Sequence, residues 1–307
     1  MATEPSASNH AATFAEAQSI SATLPPLMAE AERVANTVEQ GIHGRRRIGS
    51  GESFWQYRRY DTSDAASAVD WRQSARSQHL FVRENEWDAA QSMWLWCDRS
   101  ASMAYRSDFA PCLKQERALV LGLALTSLLT RAGERIAVLG QDEMPTSGRT
   151  GLNRLSNHWL GNQHQESEPS GLPPLQALPK YASIVLIGDF LDPTDDLISR
   201  LRQLSASGVT GHLVQVMDPA EVDLPFDGRT EFEGIEEDLK LLVSRAESIR
   251  SAYKTRLATH QAALMDMARS IGWSFTTHRT NQSATSALLS LYGIISGAPD
   301  ATQIGRS

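Results

Sequence analysis

Residues 93–103 read Met93-Trp94-Leu95-Trp96-Cys97-Asp98-Arg99-Ser100-Ala101-Ser102-Met103. A short apolar run stops abruptly at Asp98, and hydroxyls follow at every second position. The run is too short for a helix and too apolar for a loop, so it reads as a buried strand. Its C-terminal end then gathers a carboxylate and two hydroxyls around one point. Hard oxygen donors of this kind suit Mg²⁺ or Mn²⁺.

Outward from this strand the pattern alternates strand and helix, as a parallel sheet covered by helices requires. Strands are expected at 90–97, 135–139, 183–187 and 211–217, with short ones at 240–243 and 273–277. Helices are expected at 113–131, 152–160, 194–205, 245–270 and 284–295. The expected fold class is α/β, a doubly wound, mostly parallel sheet with helices on both faces. Four regions follow: a disordered tail over 1–23, a helix with an irregular extension over 24–86, the α/β domain over 87–296, and a tail over 297–307.

The 307 residues carry a net charge of -7 and a pI near 5.6. An acidic chain argues against general nucleic-acid affinity, which depends on neutralising phosphates. No secretory signal opens the chain, and no window holds the roughly 18 to 20 apolar residues of a membrane span. The longest candidate, 118–129, is interrupted by Gly122, Thr126 and Ser127 and reads as a buried helix of a cytoplasmic protein. Cys97 and Cys112 form no disulfide or zinc pattern and read as small packing residues.

Ligands of open parallel sheets sit outside the carboxyl ends of the strands. A second apolar run, 183–187, ends in Gly188-Asp189, which brings Asp189 to the same edge as Asp98. The polar loop 145–150 lies between them in sequence and is expected at that edge too. Enzyme signatures are missing. The second carboxylate that a phosphoryl-transfer Asp98 would want is replaced by Ser100. There is no nucleophile elbow of the Gly-x-Ser-x-Gly type, no Walker A loop, and no histidine pair at metal-ligand spacing.

The Asp98-x-Ser100-x-Ser102 motif resembles the metal-ion-dependent adhesion site of von Willebrand factor A-type domains. The resemblance implies a Rossmann-type, von Willebrand A-like fold. It also implies that the two serines hold the metal directly, while Asp98 and Asp189 act largely through water. A threonine from the intervening loop would complete the set. Thr150 is the choice, with Thr146 the alternative, so the metal residues are Asp98, Ser100, Ser102, Thr150 and Asp189. The reading without metal is that the same side chains cap a turn and the following helix.

Upstream, 58–76 reads R-R-Y-D-T-S-D-A-A-S-A-V-D-W-R-Q-S-A-R, followed by Leu80 to Glu86. Together with the strand and D-x-S-x-S this is similar to the bacterial family called domain of unknown function fifty-eight. Its members are von Willebrand A-like and are typically encoded beside MoxR-type AAA+ ATPases. Many have membrane segments ahead of the signature; this chain resembles the soluble kind. It departs from the family where Ser63 to Ser67 replaces a Gly-Asp-x-x-Arg stretch, which puts one intramolecular arginine pairing in doubt. The eight arginines of 45–83 read as a structural layer pinned by acids, with partner binding second. The resemblance implies a non-enzymatic adaptor whose Mg²⁺ or Mn²⁺ receives a partner's carboxylate. That partner would be a MoxR-type ATPase or its client. A metal-dependent hydrolase and a metal-free scaffold are the alternatives.

Overall fold

The computed structural model describes residues 29–39, 54–60, 69–77, 79–85, 92–161, 171–191, 194–234 and 240–295. Both expected tails, and Arg45 to Arg47, lie outside these. A helix over 29–39 is α1. Two strands, β1 (Phe54–Arg59) and β2 (Phe81–Asn85), pair antiparallel, with a single helical turn, α2 (Trp71–Ser74), between them. Asp70 shapes that turn. Its carboxylate accepts the Arg72 N–H at 3.0 Å, and its carbonyl accepts the Ser74 hydroxyl at 2.7 Å.

The main sheet begins with β3 (Ser92–Cys97), followed by α3 (Lys114–Arg131), β4 (Arg135–Val138), β5 (Thr146–Ser147) and α4 (Gly148–Leu160). Next come β6 (Ser183–Gly188), α5 (Thr194–Ser205), β7 (Thr210–Met217) and the short α6 (Pro219–Asp223). A hairpin, β8 (Thr230–Glu233) with β9 (Lys240–Val243), precedes α7 (Ala246–Ser270), β10 (Ser274–Arg279) and α8 (Ala284–Ile295). The order across the six-stranded sheet is β10-β7-β6-β3-β4-β5. Every pair is parallel except β4 with β5. From β3 the chain winds out through β4 to one edge, then resumes on the other side with β6, β7 and β10. This is the doubly wound order, and its direction reverses between β3 and β6.

Strand alternation splits the core into two layers. Met93, Leu95 and Cys97 face a cluster with Val185, Ile187, Val214 and Val216, covered by α1, α3, α4 and α8. Trp94 and Trp96 face the opposite cluster with Ile184, Leu186 and Leu213, covered by α5 and α7. The two tryptophans are therefore packing residues, as a strand covered on both faces requires. Helix α3 is buried along most of its length, which is why its sequence is apolar around most of its circumference. Gly122 lies where a Cβ would meet the Trp159 ring at 2.5 Å, so α3 and α4 cross closely there. Arg131 clamps α1 onto α3, reaching Asn36 at 2.7 Å, Glu39 at 2.6 Å and Glu32 at 2.5 Å.

One expectation is corrected. The loop 145–150 does not lie at the edge where β3 ends. Residues 146–147 form a strand that runs against β4, with Thr146 opposite Ile136 and Ser147 opposite Arg135. That reversal carries the chain back to the starting edge of the sheet, and α4 begins there, four residues earlier than its periodicity predicts. Among the described residues no helix is long and apolar enough to cross a membrane.

Two histidines record how dry the sheet is. Burial depresses the pKa of His212 to about 4. Burial and then the nearby Arg117 do the same to His278, also to about 4. The unfolded chain takes up these protons near pH 6.5 and the folded chain only near 4, so between those values the unfolded state binds more protons. Stability is therefore lost as pH falls from 6.5 to 4, by up to about 3 kcal/mol for each histidine. Urea denaturation at pH 7, 5.5 and 4.5 will show this decline, and a His278→Gln variant will show a shallower one.

Candidate metal centre

The site lies where the winding of the sheet reverses. Asp98 follows β3 directly, and its N–H donates to the Ile187 carbonyl at 2.8 Å, extending the ladder between β3 and β6 by one residue. Asp189 follows β6. Both carboxylates thus leave neighbouring strands at one edge, and both are almost fully buried. Gly188 makes the approach possible: a Cβ there would stand 2.9 Å from the Asp98 Cβ and 3.1 Å from its Oδ2.

The loop after Asp98 folds back over it. The Ser100 N–H donates to Asp98 Oδ1 at 2.8 Å, and a 3₁₀ turn over Ala101–Ala104 follows. The Ser100 and Ser102 hydroxyls are 3.0 Å apart. Ser102 donates to Asp189 Oδ2 at 2.7 Å, closing a bridge from one strand end to the other. Behind Asp189 the backbone is held firmly. Gln215, fully buried on β7, donates to the Asp189 carbonyl at 2.8 Å, and Gln261 on α7 donates to Gln215 in turn. Phe190 turns the chain at φ 52, a left-handed conformation costly for a bulky side chain. Its buried ring stacks on Trp96, with centroids 6.5 Å apart.

The structure therefore brings Asp98, Ser100, Ser102 and Asp189 together. Thr150 does not join them. It is exposed on the first turn of α4. The neighbouring Thr146 is level with Ile136 and so with Met93, five residues or about 16 Å back along the strand direction from Asp98 and two strands across. The last turn of α4 lies nearer: Trp159 packs at Gly122, which is also beside Ile187, two residues before Asp189. Residues 162–170 lie outside the described residues.

Three residues of the site carry no role in the sequence reading. Lys114, the first residue of α3, is completely buried. Its ammonium donates to Asp189 Oδ2 at 2.9 Å and to Glu221 Oε1 at 2.6 Å, and lies 5.9 Å from the centre of the Tyr105 ring. Burial works against its charge, but Asp189 and Glu221 outweigh that and hold its pKa above the ordinary lysine value. Burial pushes the Glu221 carboxyl upward, with Lys114 pulling against it. Asp218 ends β7 as Asp98 and Asp189 end theirs. It accepts from the Ser107 N–H at 2.9 Å, the Ser107 hydroxyl at 2.5 Å and the Ala220 N–H at 2.8 Å. Its own N–H donates to Glu221 at 2.8 Å, completing a capping box on α6. The signal for Asp218 was present in the sequence, since Leu213 to Met217 is another strand ending in Asp. Lys114 offered none.

Chemically, the cluster is a set of hard oxygens rich in acid. Ser102 commits its proton to Asp189, which leaves hydroxyl lone pairs directed elsewhere. Among the described residues no three or more His, Cys, Asp or Glu side chains form a metal cluster by themselves. Any ion here draws on two carboxylates and two hydroxyls. Both cysteines are free thiols, and burial followed by the charge of Asp98 pushes the Cys97 thiol up, so it stays protonated.

Comparison with known proteins places the chain at family level. The family model described as "Protein of unknown function DUF58" matches residues 56–263, so the chain belongs to that family. Relatives include the uncharacterized proteins Mb1516 of Mycobacterium bovis and Rv1480 of Mycobacterium tuberculosis. Each is 26% identical over 248 residues, covering 76% of this chain and 76% of the relative. Among solved structures, an aerotolerance-related membrane protein from Bacteroides fragilis is 14% identical, with a TM-score of 0.42 over 67% of this chain and 99% of that one. The conserved hypothetical protein BatB from Bacteroides thetaiotaomicron is 12% identical, with a TM-score of 0.35 over 67% and 99%.

The two halves of the network differ in energetic weight. Asp218→Ala strands the Ser107 and Ala220 donors in a buried place and will lower the unfolding free energy by about 2–4 kcal/mol. Ser102→Ala removes one part-buried hydroxyl and will cost about 1 kcal/mol. Urea denaturation of the two variants measures both.

Proposed function

We propose that this chain is a non-enzymatic adaptor with a von Willebrand A-like fold and a divalent-cation site at Asp98, Ser100, Ser102 and Asp189. One observation carries the reading: the D-x-S-x-S loop and a second strand-end aspartate meet at the reversal point of the sheet, joined through Ser102 at 2.7 Å. The fit is chemical as well as positional. Two neutral hydroxyls and two carboxylates are the donor set for a hard cation. Three carboxyl groups, Asp98, Asp189 and Glu221, gather around the one ammonium of Lys114.

A bound Mg²⁺ or Mn²⁺ would supply an open coordination position for a carboxylate of the partner. The residues of the chain do the rest. Gly188 and the Ser100 N–H fix the Asp98 carboxylate, while Gln215 fixes the backbone of Asp189. Ser102 is partly exposed and marks the side from which a partner reaches the cluster. By the resemblance of its signature, that partner is a MoxR-type AAA+ ATPase or a client it remodels, and the chain serves assembly or maturation of another complex in the cytoplasm. A metal-free scaffold is the second reading. It is favoured by the Lys114 ammonium, which already supplies a positive charge to Asp189.

Thermal melts in Mg²⁺, Mn²⁺ and EDTA test the cation. The parent chain will melt higher in Mn²⁺ than in EDTA, and Asp98→Ala and Ser100→Ala will lose that difference. Gly188→Ala, whose new methyl crowds the Asp98 carboxylate, will weaken it without unfolding the protein. Capture of the ATPase that loses its metal dependence in the Asp98→Ala variant would support the adaptor role. An equal melting difference between Mn²⁺ and EDTA in the parent and Asp98→Ala would leave the metal-free scaffold.

A further inference from the structure

A lysine at the first position of a helix opposes the helix dipole, which favours negative charge there. Burying its ammonium adds a desolvation cost. Lys114 bears both penalties, so its position must be held by its partners. Those partners are Asp189 at 2.9 Å and Glu221 at 2.6 Å. The Asp189 oxygen it binds, Oδ2, is also the one that accepts the Ser102 hydroxyl. A divalent ion held by Asp98, Ser100, Ser102 and Asp189 must draw on that same carboxylate.

We infer that Lys114 is a tethered ammonium that competes with a divalent cation for Asp189, so that removing its charge tightens cation binding at the cluster. The inference rests on the cation reading given above and adds its regulation. A lysine that only props up the site would have the opposite sign: its loss would loosen the ligands and weaken binding. Glu221 makes the exchange feasible. When a cation takes up the charge of Asp189, the ammonium retains a carboxylate that already lies 2.6 Å away. Glu221 also accepts the Asp218 N–H, and its carbonyl accepts the Tyr253 hydroxyl at 2.6 Å. The ammonium thus moves its weight onto the junction of α6 and α7.

The test measures Mn²⁺ binding by the electron paramagnetic resonance signal of free Mn²⁺, with melting temperature as a second readout. The decisive variant is the double change Lys114→Gln with Glu221→Gln. It removes one charge of each sign, so net charge is unchanged, and the amide oxygen introduced at position 221 can still accept the Asp218 N–H. It will bind Mn²⁺ at least about tenfold more tightly than the parent, while Lys114→Arg stays within about threefold. It will also gain more melting temperature from Mn²⁺ than the parent does.

A measurement on the parent chain needs no variant to fold. The chain has four lysines, Lys114, Lys180, Lys240 and Lys254, so ¹³Cε-lysine labelling gives a resolvable spectrum. Saturating Mg²⁺ will shift the Lys114 signal and leave the other three in place. If the parent binds Mn²⁺ and the double variant binds it no more tightly, the inference is overturned and the cation site stands. An unmoved Lys114 signal at saturation has the same meaning. If neither parent nor variant binds Mn²⁺ at millimolar concentration, the cation site itself fails and takes the inference with it.

Discussion

One carboxylate, Asp189, holds the upper edge of the sheet together. Through Oδ2 it receives the Ser102 hydroxyl from the loop after β3 and the Lys114 ammonium from the start of α3. Through Oδ1 it receives the Leu191 N–H, and its carbonyl receives Gln215 from β7. Three segments distant from it in sequence, the loop after β3, the start of α3 and β7, are thus referred to one residue. Charge-assisted bonds of this sort are about twice as strong as neutral ones, and burial makes losing a partner costly. The arrangement is specific because the left-handed turn at Phe190 and the Gln215 bond to its carbonyl hold the Asp189 backbone, while Gly188 leaves the room that the Asp98 side chain occupies.

Burying so many charges requires that they answer one another, and they do so in a chain. Asp189 pairs with Lys114, Lys114 with Glu221, and Glu221 caps α6 through the Asp218 N–H. Asp218 in turn fixes Ser107 in the loop that leads to α3. The ends of β3, β6 and β7 are therefore linked electrostatically as well as through the ladder. This linkage sets what the site can do. A cation at the proposed site beside Asp98 would change the charge felt at the Glu221 end, where α6 packs on α7.

Much of this was legible in the sequence. Uninterrupted apolar runs marked β3 and β6, because a parallel strand covered on both faces has no polar side to show, and past its opening residue β7 departs from that only at His212 and Gln215. Asp98, Ser100, Ser102 and Asp189 were legible for the same reason: each stands where such a run stops. Thr150 was misplaced because its location depends on the direction of β5, and two residues carry no periodic signal. Lys114 was illegible for a different reason. A lysine near a helix start normally points to solvent, and only partners 75 and 107 residues away turn this one inward. The strand β1 was missed because its sequence, three aromatics and a glutamine followed by two arginines, shows no period-two alternation.

The short β5 has one more consequence. Strands at the rim of a sheet expose unpaired N–H and C=O groups, which invite pairing with other chains. On the β5 side the rim is two residues long, too short to template a foreign strand. On the other side β10 is six residues long, and among the described strands it pairs only with β7. The two rims of the sheet are therefore unequal among the described strands: one ends in two paired residues, the other in a full-length strand.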